Sequence, residues 1–395
     1  MSKKKIVLAY SGGLDTSIIL KWLQENYKAE VICYTANIGQ DINRKKIIKN
    51  AKKFGVKKII IRDLKNTFVK DYIFPMIRGH AIYEGAYLLG TSIARPLIAK
   101  DQIRIAKKFK AYAVSHGATG KGNDQIRFEL GYHYFDPKIK IIAPWRIWNL
   151  KSRSDLINYA KKHKIQIPRD KKGAPPFSID DNLFHTSTEG KILENPKNSA
   201  PEFIFQRTVS PERAPNRPTY ITINFKNSDP IGINGKKLSP EKILTNLNLI
   251  AGKNGIGRVD LVENRFLGIK SRGVYETPGG TLLVHAHRAI ESVTLDRETM
   301  HKKDLIMPRY AELIYNGYWY SKERFKLQKI VDKKKNKVNG SVKLKIYKGN
   351  IAIQSRITKS NAYSVKKVSF EENKTFQKSN VERFINYHKK KLYYL

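Results

Sequence analysis

The feature that most constrains the fold is a short apolar run followed at once by a glycine turn and a helix pattern. Residues 6–10 (IVLAY) are apolar, residues 11–17 (SGGLDTS) carry two glycines and three hydroxyls, and a helix pattern continues to about Glu25. An all-apolar strand is typical of a parallel sheet that is covered on both faces. The glycines permit a tight turn, and the N–H groups at a helix N-terminus favour an anion. The segment therefore predicts a phosphate-binding loop at the edge of an α/β sheet.

Strand and helix patterns alternate through the first 165 residues, which predicts a doubly wound parallel sheet. Further strands are predicted over 30–36, 57–62, 112–115 and 140–143, and helices over 41–54 and 152–163. Residues 167–181 contain four Pro or Gly and predict a linker. The pattern changes after this linker. Residues 219–225 alternate like an antiparallel strand, and residues 342–357 predict a hairpin that turns near Lys348. Helices are predicted over 239–251, 295–317 and 380–392. Pro308 is expected to kink or divide the second of these helices.

Composition limits the classes of protein that remain. The chain has 395 residues, 76 Lys and Arg against 34 Asp and Glu, and a formal charge of +42. Hydrophobic residues make up 41 %, enough for a core, and the single cysteine, Cys33, excludes a disulfide framework and a Cys-rich zinc site. The excess of Lys fits either a polyanion-binding surface or a Lys-rich surface that reflects codon bias, and the sequence leaves both readings open.

The sequence predicts no membrane segment. No stretch approaches the ~18 apolar residues of a membrane span. The N-terminal apolar run, residues 6–10, is five residues long, short of the ~7–15 residues of a signal peptide. We expect a soluble, cytoplasmic protein.

A second glycine-rich segment, residues 115–129 (SHGATGKGNDQIRFE), follows a predicted strand. It should therefore lie at the same sheet edge as the first loop. Asn123 and Arg127 are four residues apart and share one face of a helix, where Arg127 can hold a carboxylate. A third run, residues 83–96, is ambiguous and fits a polar, aromatic turn between helices. His285 and His287 form a close pair without a further ligand nearby, so no metal site made by the protein alone is predicted.

Several segments together resemble the argininosuccinate synthase family, which belongs to the PP-loop ATP pyrophosphatase superfamily. They are AYSGGLDTS, YLLGTSIARP, SHGATGKGNDQIRFE, APWR, FSIDDNLFHTSTEG, GKNGIGRVDLVENRFLGIKSRGVYETPGG and YNGYWYS, and they run from residue 6 to about 325. The resemblance implies a PP-loop nucleotide-binding domain (1–166), an α+β synthetase domain (167–365) and a C-terminal helix or tail for oligomerisation (366–395).

The resemblance also implies the reaction and its small molecules. The family joins citrulline to aspartate with ATP, through a citrullyl-AMP intermediate, and releases AMP and pyrophosphate. Mg²⁺ is expected between phosphate oxygens with one or two protein carboxylates. Asp15 and Asp124 are the candidates for this catalytic role, and the sequence does not decide between them.

The implied binding residues follow position by position. Those for ATP are Ala9, Tyr10, Ser11, Gly12, Gly13, Leu14, Asp15, Thr16, Ser17, Ala36 and Gly117. Those for citrulline are Tyr87, Ser92, Asn123, Arg127, Ser178, Ser187, Glu263 and Tyr275. Those for aspartate are Thr119, Asn123 and Asp124. Because these positions lie on both sides of the predicted linker, the site is expected between two domains.

The resemblance further implies a homotetramer, to which the amphipathic residues Val381, Phe384, Ile385 and Tyr387 would contribute. Packing of this helix on its own domain is the alternative. The main alternative function is a tRNA-modifying PP-loop enzyme that adenylates a base, which the basic surface would suit. A non-enzymatic RNA-binding module is a third reading. The chain has no second cysteine for sulfur insertion and no evident tRNA-binding domain, so no specific nucleic acid is expected.

Overall fold

The computed structural model describes residues 3–120, 122–150, 152–167, 177–359, 362–364, 368 and 378–392. The first half contains the following strands and helices: β1 (Lys5–Ala9), α1 (Leu14–Tyr27), β2 (Glu30–Asn37), α2 (Arg44–Lys53), β3 (Lys58–Asp63), α3 (Lys65–Phe68), a π-helical turn (Val69–Ile73), α4 (Phe74–Arg78), α5 (Gly90–Lys108), β4 (Ala113–Ser115), α6 (Asp124–Phe135), β5 (Lys140–Ile142), α7 (Pro144–Ile147) and α8 (Arg153–Lys162).

The second half begins with two short strands and three 3₁₀ turns and continues with longer elements: β6 (Ser178–Asp181), β7 (Thr186–Glu189), turns at Lys191–Glu194, Glu202–Ile204 and Pro211–Arg213, β8 (Thr219–Lys226), β9 (Asp229–Ile233), β10 (Lys236–Lys237), α9 (Pro240–Lys253), β11 (Arg258–Asn264), β12 (Lys270–Glu276), α10 (Pro278–Thr294), α11 (Arg297–Tyr315), α12 (Lys322–Asp332), a turn at Lys335–Lys337, β13 (Gly340–Tyr347), β14 (Asn350–Ile357) and α13 (Lys378–Lys391).

The first sheet is parallel and confirms the predicted fold class. Its strand order is β3-β2-β1-β4-β5, with Val7 paired to Ile32 on one side and to Val114 on the other. The chain leaves β1 toward β2 and returns later to β4, so the direction of winding reverses between β1 and β4. In sheets of this kind the carboxyl ends of the two strands at the reversal border the ligand crevice.

The central strand β1 is buried on both faces, as its all-apolar sequence predicts. Ile6 and Leu8 belong to a core with α1 and α8, whereas Val7 belongs to the core on the other face with α5. That second core is continuous with the packing of the later sheets, through residues such as Ile223 and Leu344. The phosphate loop therefore starts from a fixed strand end.

Two antiparallel sheets follow, one of five strands (β10-β9-β8-β13-β14) and one of four (β11-β12-β7-β6). The hairpin β13–β14 turns at Lys348 and Gly349, as predicted. Most of the predicted linker lies outside the described residues. The prediction was wrong for residues 178–181, which form β6 and pair with β7. The domain boundaries after residues 166 and 365 stay predictions.

Two helices differ from the sequence-based prediction, and each of them contains a proline. Helix α11 continues through Pro308 without division. Pro308 and Asp304 are both exposed, so water can reach the Asp304 carbonyl, which the proline deprives of its usual N–H donor. Helix α5, which the sequence reading missed, begins at Gly90 and contains the buried Pro96.

The C-terminal helix α13 carries apolar side chains on its surface. Phe384 is 64 % exposed and Ile385 is 57 % exposed, and Val381 and Tyr387 are exposed as well. The helix ends in a basic run from His388 to Lys391. None of the helices in the described ranges has both the length and the apolar character to cross a membrane.

Candidate active site

A cleft of about 1270 Å³ opens at the carboxyl edge of the parallel sheet, where β1 and β4 end. Strands β6, β7, β11 and β12 of the four-stranded sheet close its other side. Most of the residues predicted for binding line this cleft: Ala9, Tyr10, Ser11, Gly13, Leu14, Asp15, Thr16, Ala36, Tyr87, Gly117, Thr119, Asn123, Asp124, Arg127, Ser178, Glu263 and Tyr275. The topology thus brings segments more than 250 residues apart around one space.

The first glycine loop is held open at the end of β1. Gly12 has a left-handed φ of +79°, and the Ser11 hydroxyl lies 3.0 Å from that of Thr16. The Ser17 hydroxyl donates to the Gly13 carbonyl at 2.7 Å. Among the described residues no side chain caps α1 at Gly13, and the first residues of the helix, Leu14 to Thr16, line the cleft, so the positive end of the helix borders it.

Gly12 and Ser17 lie on the rear of this loop rather than on the cleft wall. They line a separate cavity of about 100 Å³, together with Lys46, Lys53 and Lys164. These two residues shape the loop, and the lysines add positive charge behind it. The role of Gly12 and Ser17 in ATP binding stays a prediction.

The second glycine loop packs directly against the first. A Cβ on Gly117 would lie 3.2 Å from Thr16 Cγ2, so the two loops approach without a gap. Asn123 is buried, and its Oδ1 has no hydrogen-bond partner among the described residues. A buried amide oxygen in a cleft wall is suited to accept an N–H from a ligand. Lys121, between these residues, lies outside the described part of the chain.

Asp124 is held between two guanidinium groups. Arg95 Nε and Nη2 contact its Oδ2 at 2.8 and 2.6 Å, and Arg127 Nη1 donates to its Oδ1 at 2.9 Å. Burial opposes ionisation, but the two arginines outweigh it and lower the pKa of the Asp124 carboxyl. Arg95 also contacts Asp180 Oδ1 at 2.8 Å, which connects α5 to β6. The cluster is ionised and electrically balanced.

Glu263 is fixed by two tyrosines. Tyr275 donates to Glu263 Oε2 at 3.0 Å, and Tyr315 donates to Glu263 Oε1 at 2.7 Å. Burial and the adjacent Glu263 carboxylate raise the pKa of both phenols. The Tyr87 ring stacks on Tyr275 with 4.5 Å between centroids. The carboxylate therefore reaches the cleft from an aromatic wall.

Two predicted citrulline residues, Ser92 and Ser187, are buried and do not line the cleft. Ser187 lies on β7 opposite Asp180 and Tyr275. Ser92 lies in the first turn of α5, and its hydroxyl has no partner among the described residues. Their roles in binding stay predictions.

Sequence reading missed five charged or aromatic residues at or behind the cleft: Arg95, Asp180, Glu189, Arg265 and Tyr315. All five lie inside segments that carry the family resemblance, but no local pattern distinguishes them from structural residues. Glu189 accepts from Arg265 at 2.7 Å, and burial raises the pKa of its carboxyl.

A buried cluster away from the cleft consists of His80, His287 and Glu291, whose ligand-type atoms lie within 4.8 Å of one another. Lys303 already pairs with Glu291, and Ser228 contacts His287 Nε2 at 2.7 Å. The carboxylate charge is thus neutralised by a lysine, and the cluster joins the segment after α4 to α10 and α11. His285, the other histidine of the predicted pair, is not part of it.

Comparison with known proteins covers nearly the whole chain. A family model described as "Arginosuccinate synthase N-terminal HUP domain" matches residues 5–166, and one described as "Arginosuccinate synthase C-terminal domain" matches residues 177–393. The chain is 83 % identical to argininosuccinate synthase of Pelagibacter ubique, over 99 % of each protein. It is 59 % identical to the enzyme of Ehrlichia chaffeensis, over 97 % of each, and 59 % identical to that of Parvibaculum lavamentivorans, over 93 % of this chain and 90 % of the relative.

Proposed function

The chain belongs to the argininosuccinate synthase family, and we propose how the residues of its cleft divide the work of that reaction. The enzyme joins L-citrulline to L-aspartate at the expense of ATP, with release of AMP and pyrophosphate. The observation that carries our assignment of the site is the meeting of the phosphate loop, the Asp124 cluster and the Glu263 carboxylate around one cleft.

The chemistry requires activation of a poor electrophile. Nitrogen donates electrons into the ureido carbonyl of citrulline, so an amine does not add to it directly. The ureido oxygen attacks the α-phosphorus of ATP, the bond from that phosphorus to the bridging oxygen breaks, and pyrophosphate leaves. The aspartate nitrogen then adds to the activated carbon and loses a proton, and AMP leaves with the former ureido oxygen. Positioning and charge neutralisation supply most of the catalysis.

We assign the triphosphate of ATP to the loop from Ser11 to Thr16, beside Ala36 and Gly117. The uncapped end of α1 and the loop hydroxyls support this assignment. When bound, Mg²⁺ neutralises phosphate charge. We assign its protein carboxylate to Asp15, which lies in the first turn of α1 and lines the cleft beside the loop hydroxyls.

We assign the ammonium group of citrulline to Glu263 and its carboxylate to Arg127. The aspartate substrate is assigned to Thr119, Asn123 and Asp124, where the unpartnered Asn123 Oδ1 can accept an N–H. Opposite charges at fixed positions orient both amino acids toward the α-phosphate, and a fixed orientation lowers the entropic cost of the reaction.

Replacement of Glu263 by glutamine should raise the KM for citrulline about 30-fold and leave the KM for aspartate within about twofold. The loss corresponds to ~2 kcal/mol, typical of a hydrogen bond to a charged group. Steady-state kinetics with each amino acid varied in turn measures both constants. Glu276→Gln is the matched control, because Glu276 is a buried carboxylate of the same sheet that accepts from Gln206 and Thr208 away from the cleft. Equal changes in both KM values would refute the assignment.

We propose that α13 contributes to a homotetramer, which the exposed Phe384 and Ile385 support. Deletion of residues 380–395 should give a smaller species in light scattering, because the apolar contact between subunits is lost. Lys389→Ser, on the same helix, is the control and should keep the full mass. An unchanged mass after the deletion would contradict this role. We also propose a cytoplasmic location, where ATP and both amino acids are available.

The tRNA-modifying alternative is not favoured by the comparisons, and one assay separates the two functions. Pyrophosphate release from ATP should require citrulline and aspartate together and should fall to background when either is omitted. Bulk tRNA should not replace them. Release that depends on tRNA and not on the amino acids would overturn the proposed function.

A further inference from the structure

Tyr315 connects the two charged groups that we assign to citrulline, although it lies behind the cleft wall. It is the last residue of α11 and is completely buried. Its hydroxyl donates to Glu263 Oε1 at 2.7 Å, and its backbone carbonyl accepts from Arg127 Nε at 2.8 Å. The Arg127 guanidinium carbon also lies 4.9 Å from the centre of the Tyr315 ring. One residue thus contacts both the anionic and the cationic partner.

The Tyr315 ring is itself held in place from two sides. It stacks on Tyr83, with 3.8 Å between centroids and 4° between planes, and meets the edge of Tyr87 at 6.2 Å. The turn after α11 packs closely against Arg127. Gly317 in this turn has a φ of +92°, and a Cβ there would lie 3.0 Å from Arg127 Cα. The end of α11 is therefore fixed against α6, which carries Arg127.

We propose that Tyr315 is a positioning residue that fixes Glu263 relative to Arg127 and so holds the α-amino-acid end of citrulline at one place in the cleft, from which a side chain of its length brings the ureido group to the α-phosphate. The inference rests on the proposed citrulline site. Glu263 and Arg127 hold the ammonium and carboxylate groups of the amino acid and so fix the position of its Cα. The end of the side chain then lies at a distance from Cα that depends on the length of the side chain. If one of these two anchors loses its fixed position, the amino-acid end of the substrate can shift in the cleft, and discrimination against a longer analogue weakens.

The hydroxyl of Tyr315 is the part of the residue that acts on Glu263. Without it, Glu263 keeps the Tyr275 hydroxyl at 3.0 Å and gains freedom to rotate. The backbone carbonyl and the ring, which contact Arg127, are unchanged by a phenylalanine. Tyr315→Phe therefore releases one anchor and retains the other.

We expect Tyr315→Phe to raise the KM for citrulline about 10-fold, with the KM for aspartate and ATP within twofold and kcat within threefold. The preference for citrulline over homocitrulline, one methylene longer, should fall at least fivefold. This preference is a ratio of two kcat/KM values from the same preparation, so it does not depend on the folded fraction. Tyr310→Phe is the matched control: Tyr310 is buried on the same helix, and its hydroxyl donates to the neutral Gln328. It should change neither quantity.

A double-mutant cycle separates failure of this inference from failure of the proposed site. In the Glu263→Gln background, Tyr315→Phe should have less than a twofold further effect on the citrulline KM, because its partner charge is absent. If Glu263→Gln alone leaves that KM unchanged, the proposed citrulline site fails. If Glu263→Gln raises it and Tyr315→Phe does not, the positioning role fails. Equal effects of Tyr315→Phe and Tyr310→Phe would assign the residue to packing alone and also overturn the inference.

Discussion

Replacement of Asp124 by asparagine is expected to lower kcat/KM for aspartate at least about 1000-fold, the largest effect that we predict for a single residue. A thousandfold loss corresponds to ~4 kcal/mol. Removal of one member of a buried, hydrogen-bonded charge pair costs ~2–5 kcal/mol, much of it from the charge left behind. Here the substitution removes the carboxylate that Arg127 contacts and leaves Arg95 with Asp180 as its carboxylate partner among the described residues.

The arginines also determine how this loss depends on pH. They lower the pKa of Asp124 against the opposing effect of burial, so the wild-type carboxylate stays ionised at and below neutral pH. Because an amide does not ionise, the loss in the asparagine variant should persist at neutral and lower pH and should not recover at high pH. Asp136→Asn, at the other end of α6 and in contact with the Lys138 backbone, is the control. Near wild-type kcat/KM for Asp124→Asn would show that the cluster is not part of the aspartate site.

The second large effect is expected for Gly12→Ala, which should lower kcat/KM for ATP about 100-fold, or ~2.7 kcal/mol. Gly12 has a φ of +79°, where an L side chain costs ~1–2 kcal/mol. The added Cβ would also lie 2.9 Å from Ile47 Cγ1, and Ile47 is a buried residue of α2. Relief of this clash requires movement of the loop, and the loop is the part to which we assign the triphosphate.

Gly55→Ala is the matched control for this substitution. Gly55 has a φ of +69°, but a Cβ there meets nothing within 4 Å, and it lies in the turn after α2, outside the cleft. It should lower the melting temperature slightly and leave the kinetics of ATP unchanged. If both alanine variants keep wild-type kinetics, the shape of the loop at Gly12 does not govern ATP binding.

Local sequence patterns were sufficient for the five strands of the parallel sheet and for helices α1, α2 and α8. The run from Ile6 to Leu8 is buried, and the glycines that follow Tyr10 permit the turn into α1, so each step depends on neighbouring residues. Ser152 illustrates the same point, because it caps α8 through a reciprocal bond with Asp155 three residues later. Such signals can be recognised in a single sequence because the two interacting residues lie within one helical turn of each other.

Contacts between distant segments could not be predicted in this way. Tyr315 reaches Glu263 across 52 residues and Arg127 across 188, and nothing in the local pattern at the end of α11 indicates either partner. His80 and Glu291 are likewise separated by 211 residues. The family resemblance supplied most of the residues that line the cleft but not Tyr315, which holds two of them in place.

Helix α5 was missed because its local signals point away from a helix. Gly90 and Pro96 both disfavour one, and the polar, aromatic segment before it suggests a turn. In the structure the helix is buried along most of its length, and packing outweighs propensity. Arg95, on this helix, lines the cleft, so this error concealed part of the cleft wall as well.

The most direct test of the account follows the ureido oxygen of citrulline. With citrulline labelled by ¹⁸O at that position, and with ATP and aspartate present, the label should appear in the phosphate of AMP at one atom per argininosuccinate formed. This result requires that the oxygen attacks the α-phosphorus and leaves with AMP. Label found in pyrophosphate, inorganic phosphate or water, with unlabelled AMP, would contradict the mechanism and the placement of both substrates in the cleft.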